Sequence, residues 1–133
     1  MTTVHSTPFR ILLVDDSRTF LAAACHALAE DARIEVVGSA LSGQEGLELT
    51  TQKHPDLVLM DVAMPGMNGM EATRLIKAQP NAPQVVILTS YDLTHYRTAA
   101  KVAGADHFIS KADFDSQLFP LLETLLAERN LSS

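Results

Sequence analysis

The sequence predicts an α/β protein, a parallel sheet covered by helices on both faces, on three grounds. Short apolar runs alternate with longer amphipathic stretches over the whole chain. The longer runs are apolar throughout rather than at every second residue, which is the signature of strands buried on both faces. Four of them close on a chemically useful residue: ILLV (Ile11 to Val14) at Asp15 and Asp16, LVLM (Leu57 to Met60) at Asp61, VVIL (Val85 to Leu88) at Thr89, and FIS (Phe108 to Ser110) at Lys111. Open α/β sheets build their ligand sites at that carboxyl edge.

The elements follow in order. Residues 1–8 are a polar stretch read as a flexible tail, and the folded unit runs from 9 to 129, with 130–133 as a second short tail. Strand one is Phe9 to Val14. Helix one spans about Ser17 to Glu30, with Phe20, Leu21, Ala24 and Leu28 on one face. Strand two (Ile34 to Ala40) precedes a helix opened by Ser42, with Glu45 three residues on as in a capping box. Strand three (Asp56 to Met60) leads into DVAMPGMNG, after which Asn68 and Glu71 make a second cap-like start for a helix to Lys77. QPNAP is a turn by composition. Strand four (Gln84 to Leu88), a helix from about Leu93 to Ala103 stopped by Gly104, strand five (His107 to Ser110) and a last helix to about Arg129 complete the pattern. Pro120 is tolerated in that last helix if the cap is Ser116 and kinks it if the cap is Asp113; Ser116 is the expected cap. Right-handed crossovers and the flavodoxin-like (βα)5 order 2-1-3-4-5 would set strands one, three and four side by side.

Composition excludes several function classes. The chain has 133 residues, 47% hydrophobic and 20% charged, enough for one soluble domain with a sizeable core. A net charge of −6 without a Lys/Arg cluster argues against nucleic-acid binding by this domain. The single cysteine, Cys25, cannot form an internal disulfide and suits a reducing compartment. MTTVHSTP lacks the apolar stretch of a signal peptide, and no run approaches the ~18 apolar residues of a membrane span. The expectation is a cytoplasmic protein that binds no membrane.

The chemistry at the sheet edge starts from repulsion. Two carboxylates ~4 Å apart at an effective dielectric near 20 cost about 4 kcal/mol, so the cluster holds protons or a cation. Oxygen ligands beside strand-end carbonyls suit Mg²⁺, which favours one or two carboxylates plus a phosphate. No Cys/His set has zinc spacing. With the metal in place Asp61 can attack a phosphoryl group, Lys111 adds positive charge, and the Thr89 hydroxyl can bond a phosphoryl oxygen.

VDDS (Val14 to Ser17), LMDVAMPGMNG (Leu59 to Gly69), LTS (Leu88 to Ser90), AGAD (Ala103 to Asp106) and Lys111 occur in the right order and spacing for one family. The chain resembles the receiver domain of two-component response regulators, the CheY-like fold, over about residues 9 to 129. GSALSGQEGLEL, EATRLIK and LTSYD are closest to receivers of LuxR/NarL-type transcription regulators. The resemblance implies Asp61 as phosphoacceptor, Asp16 as direct Mg²⁺ ligand with Asp61 and the backbone carbonyl of Ala63, and Asp15 acting through water. It implies Thr89 and Phe108 as a switch pair, in which Thr89 moves to the phosphoryl group and the Phe108 ring turns inward. The donor would be a phosphohistidine on a sensor kinase or phosphotransfer protein, and the domain would catalyse only its own phosphorylation and dephosphorylation. Output would be a protein–protein contact, since no helix-turn-helix segment follows Ser133, or else this is the receiver of a longer LuxR-type regulator.

Three departures from the family stand out. Ala112 follows Lys111 where receivers usually carry proline, often with a cis bond; a trans bond and a different loop path are expected. Phe108 replaces the commoner Tyr, and Ala63 is apolar where relatives often place a polar side chain. Rival classes fit less well. A haloacid-dehalogenase-type phosphatase needs Asp-x-Asp after strand one, a flavodoxin needs a hydroxyl- and glycine-rich loop there, and a pseudo-receiver would not keep the acidic set with Thr89 and Lys111. Singly, Asp15 reads as a helix cap, Thr89 as a strand residue and Lys111 as a surface cation. His26 and His107 read as surface or packing residues, Met64 and Met67 as gap-fillers, and Tyr91, Tyr96, Arg97 and Lys101 as residues on or near the helix-four face.

Overall fold

The computed structural model describes residues 7–62, 68–89 and 93–132, with side chains of 93–96 and 130–132 excluded. The elements are β1 (Phe9–Val14), α1 (Arg18–Leu28), β2 (Ile34–Ala40), α2 (Gly43–Lys53), β3 (Leu57–Asp61), α3 (Gly69–Lys77), β4 (Gln84–Thr89), α4 (Leu93–Ala103), β5 (His107–Ser110), a 3₁₀ turn (Lys111–Asp113) and α5 (Phe114–Ser132). The strands pair in parallel in the order β2-β1-β3-β4-β5, the order expected.

Strand alternation divides the apolar side chains between two cores. Ile11, Leu13, Leu57, Leu59, Val86, Leu88 and Ile109 face one side and pack with Leu21 and Leu28 of α1 and Leu118 and Leu122 of α5. Leu12, Val14, Val58, Met60, Val85 and Ile87 face the other, against Ala72 and Ile76 of α3 and Ala100 of α4. Both faces of the central strands are therefore dry, which explains why their sequences are apolar throughout. On α1 the core stripe is Leu21, Ala24 and Leu28, while Phe20 lies at its edge, half-buried.

Side chains set the helix starts. Ser17, Ser42 and Asn68 each accept a hydrogen bond from the backbone N–H three residues on, at Phe20, Glu45 and Glu71. Glu45 reaches back to accept from the Leu41 N–H at 2.9 Å, so the box closes one residue before the cap. Gly104 has φ +95°, as a glycine stop requires.

Several boundaries differ from expectation. Asp61 and Thr89 are the last residues of β3 and β4, inside the sheet rather than just beyond it, because parallel pairing continues through Asp61 opposite Leu88 and Thr89 opposite Ser110. The last helix starts at Phe114, not after a Ser116 cap, and runs past Arg129 to Ser132. Here Phe114 decides. Its ring is 8% exposed within the α1/α5 core, and burying it draws the preceding turn directly into α5. Pro120 consequently lies inside the helix. No cis peptide occurs among the described residues, so Lys111–Ala112 is trans as expected.

Candidate functional site

β1, β3 and β4 are adjacent, so their carboxyl ends deliver Asp15, Asp61 and Thr89 to one edge. Asp15 is 1% exposed, Asp61 4% and Thr89 fully buried. Asp15, Asp16 and Asp61 each offer a carboxylate oxygen within 4.8 Å of the others, with Asp16 the exposed member.

Local structure explains why each carboxylate stays there. The Asp15 N–H donates to Ala40 O at 3.0 Å, prolonging the β1–β2 ladder, and Asp15 Oδ1 accepts from the Ser17 N–H at 2.9 Å. Asp15 thus braces the turn into α1 while Ser17 caps the helix. The Val62 N–H donates to Leu88 O at 3.1 Å, holding the chain in line just past Asp61. Gly69, the first residue of α3, lies against the Asp61 backbone so closely that a Cβ there would collide with the Asp61 carbonyl oxygen. Nothing in the strand pattern foretells that approach, although glycine at a helix start is its only sequence trace.

Lys111 reaches the cluster from the far side of the edge. Its Nζ is 2.5 Å from Asp15 Oδ2 and 3.6 Å from Asp61 Oδ1, and the side chain is 16% exposed. The Ser110 hydroxyl oxygen accepts from the Ala112 N–H at 3.2 Å and starts the 3₁₀ turn that aims Lys111 inward. Helix periodicity marks Phe20 only as an apolar-face residue, yet its ring also lies under the Lys111 ammonium. Phe108 is half-buried, on the α4 side of the sheet, with the Arg97 guanidinium 5.9 Å from its ring centroid. His26 is exposed and His107 pairs with Gln84 at 3.2 Å, consistent with surface and packing roles. Arg97 and Lys101 are exposed on α4. Ala63, Met64, Met67, Tyr91 and the Tyr96 side chain lie outside the described residues.

The donor set suits a hard divalent cation. Three carboxylates against one ammonium leave two negative charges when all are ionised, the charge one such ion neutralises. Asp15 Oδ2 is buried, and the Lys111 ammonium 2.5 Å away compensates its charge among the described residues. All-oxygen ligands of this kind fit Mg²⁺.

A sequence model described as the response regulator receiver domain matches residues 11–122, an interval that contains Asp15, Asp16, Asp61, Thr89 and Lys111. The chain belongs to the response regulator receiver family. Receivers of this family act in two-component signalling under control by phosphorylation, and they bind Mg²⁺ through an acidic pocket. Among relatives, the chain is 34% identical to the response regulator GacA of Pseudomonas aeruginosa over 92% of its own length and 58% of that protein's. It is 31% identical to the uncharacterized transcriptional regulatory protein YesN of Bacillus subtilis, over 90% of this chain and 33% of YesN. The chain therefore spans only part of the curated relatives it matches. A two-component response regulator of the LuxR family from Aurantimonas sp. superposes with a TM-score of 0.83 at 30% identity, covering 92% of this chain and 87% of that one. The response regulator domain of Thermotoga maritima CheB gives 0.79 at 28% identity, covering 92% and 97%. No helix among the described residues is long and apolar enough to cross a membrane.

Proposed function

We propose that this receiver accepts a phosphoryl group on Asp61 from a phosphohistidine of a sensor kinase or phosphotransfer protein, and that the modification changes its affinity for a downstream protein. The observation that supports this reading is the nearly dry Asp61 carboxylate, with Lys111 at 3.6 Å and the Asp15 and Asp16 carboxylates within 4.8 Å. Asp16, Asp61 and the Ala63 carbonyl would hold Mg²⁺, with Asp15 acting through water. When bound, the ion supplies charge neutralisation for the phosphoryl oxygens.

The steps of the chain's own residues follow. A carboxylate oxygen of Asp61 forms a bond to phosphorus as the P–N bond of the donor breaks, and its electron pair returns to the imidazole. The result is an acyl phosphate. The Lys111 ammonium exchanges Asp15 for a phosphoryl oxygen, and the Thr89 hydroxyl donates to another. Thr89 and Phe108 lie on the same face by strand alternation, so movement of Thr89 opens room for the Phe108 ring. The protein transforms no substrate besides its own phosphoryl group. In this reading the receiver unit begins at 9 and ends with α5, in a cytoplasmic protein whose receiver touches neither nucleic acid nor membrane.

Incubation with acetyl phosphate and Mg²⁺, followed by intact-mass measurement, tests the reading. Wild type gains one phosphoryl group and Asp61→Asn gains none; stoichiometric modification of the variant would overturn the assignment. A second reading rests on the partial coverage of the relatives and the LuxR-family likeness. In it the same chemistry controls a DNA-binding segment of a longer regulator, and the neighbouring coding sequence decides between the two.

A further inference from the structure

The Lys111 ammonium has a neighbour that is not a carboxylate. It lies over the face of the Phe20 ring, 4.6 Å from the centroid. Phe20 in turn meets Phe114 edge to face, with centroids 5.3 Å apart and an interplanar angle of 82°. Phe114 is buried in the α1/α5 core and meets Phe119 in the same way at 6.5 Å. The ring beneath the ammonium is therefore fixed from behind by the core. Phe20 is on α1 and Phe114 is the first residue of α5, three residues after Lys111. One phenylalanine supports the lysine's charged tip while the other anchors the backbone that carries it.

We propose that Phe20 is a positioning residue for phosphoryl transfer: its ring holds the Lys111 ammonium between Asp15 and Asp61. This rests on the reading of Asp61 as phosphoacceptor. A lysine stem is flexible and its ammonium is a strongly hydrated point charge. The shorter contact, at 2.5 Å, is to Asp15, whereas the reaction needs the charge at Asp61, 3.6 Å away. An acceptor oxygen in place of the ring would compete for the protons of Lys111. An aromatic face attracts the cation without accepting a directed hydrogen bond, so the ammonium can turn from one carboxylate to the other while still supported. Leucine at this position would fill similar space but lacks the quadrupole.

The test uses the full chain as wild type, Phe20→Leu, Phe20→Met and Phe20→Tyr, with thermal melts to establish folding. Proton NMR reads the Lys111 ε-methylene resonances, which ring current moves upfield in wild type and Phe20→Tyr but not in the aliphatic variants. Phosphorylation by acetyl phosphate is followed in parallel. The aliphatic variants should lose roughly 3- to 30-fold in rate, the range expected of a partly desolvated cation–π contact. Mg²⁺ affinity should be unchanged, and Phe20→Tyr should retain the wild-type rate. A wild-type rate in an aliphatic variant that has lost the upfield shift overturns the role of Phe20 and leaves Asp61 as acceptor untouched. Failure of wild type itself to be modified overturns the acceptor reading and this role with it. If both aliphatic variants fail to fold, absence of the upfield shift in wild type alone still overturns the contact.

Discussion

Asp15 Oδ2 and Lys111 Nζ stand 2.5 Å apart, with side chains only 1% and 16% exposed. Such a pair adds little stability over an apolar substitute, but breaking it leaves a charge in a dry place. Lys111→Ala should therefore destabilise the metal-free protein by about 3–5 kcal/mol in urea unfolding. Mg²⁺ should restore more stability to the variant than to wild type, because a cation near Asp15 replaces the lost ammonium. An equal Mg²⁺-induced shift in melting temperature for both proteins would contradict this. The variant should still bind Mg²⁺, yet lose the conformational change on phosphorylation.

Asp16 and Asp15 should respond unequally to truncation. Asp16 is exposed, whereas Asp15 is buried and engaged by both Lys111 and the Ser17 N–H. Asp16→Ala should weaken Mg²⁺ more than Asp15→Ala in a calorimetric titration. Equal losses would refute the ranking of direct and water-mediated ligands.

Gly69→Ala tests how tightly α3 is seated under the phosphoacceptor. The new methyl would run into the Asp61 carbonyl oxygen and press on the Val62 Cα, both backbone atoms that cannot rotate away. A loss of about 1–3 kcal/mol is expected from overpacking, with a lower phosphorylation rate as β3 and α3 separate. Unchanged stability and rate would show that the approach is not constrained.

Acid should weaken the link between the α1–β2 connection and α5. Arg33 pairs with Asp31 and with Glu123, each at 2.6 Å. Its side-chain hydrogen bonds hold both carboxyls below their ordinary values. A depressed folded-state value means stabilisation that is present above the unfolded carboxylate range and lost as pH falls through the folded value. Thermal melts of wild type and Arg33→Ala should differ slightly near neutrality and converge as acid protonates both partners, the pairs being exposed and screened. A gap that widens in acid would reverse the sign.

Pro120 sits inside α5 and cannot donate to the Ser116 carbonyl. Pro120→Ala should stabilise the protein by roughly 1–2 kcal/mol, the restored helical bond being offset in part by a freer unfolded chain. A destabilised variant would mean that the proline shapes α5 against the sheet.

The order of elements and most of their bounds were legible in the sequence because fully apolar strands and side-chain helix caps are local signals. Ser17, Ser42 and Asn68 each cap the helix their position announces. Ser116 does not cap the last helix, because burial of Phe114 against Phe20, a contact between residues far apart in the chain, outweighs local preference. Asp61 and Thr89 were recognisable as strand-end groups, yet that they remain inside the ladder depends on neighbouring strands.

Residue order alone establishes the alternation of strands and helices, and with it which acids, hydroxyl and lysine stand at strand ends. Folding in three dimensions selects which of them touch: Lys111 sits nearer Asp15 than Asp61, Phe20 lies beneath its ammonium, and Gly69 abuts the Asp61 backbone. These distances arise where helices from both faces meet one sheet edge. Close packing sets them, and no local pattern encodes it.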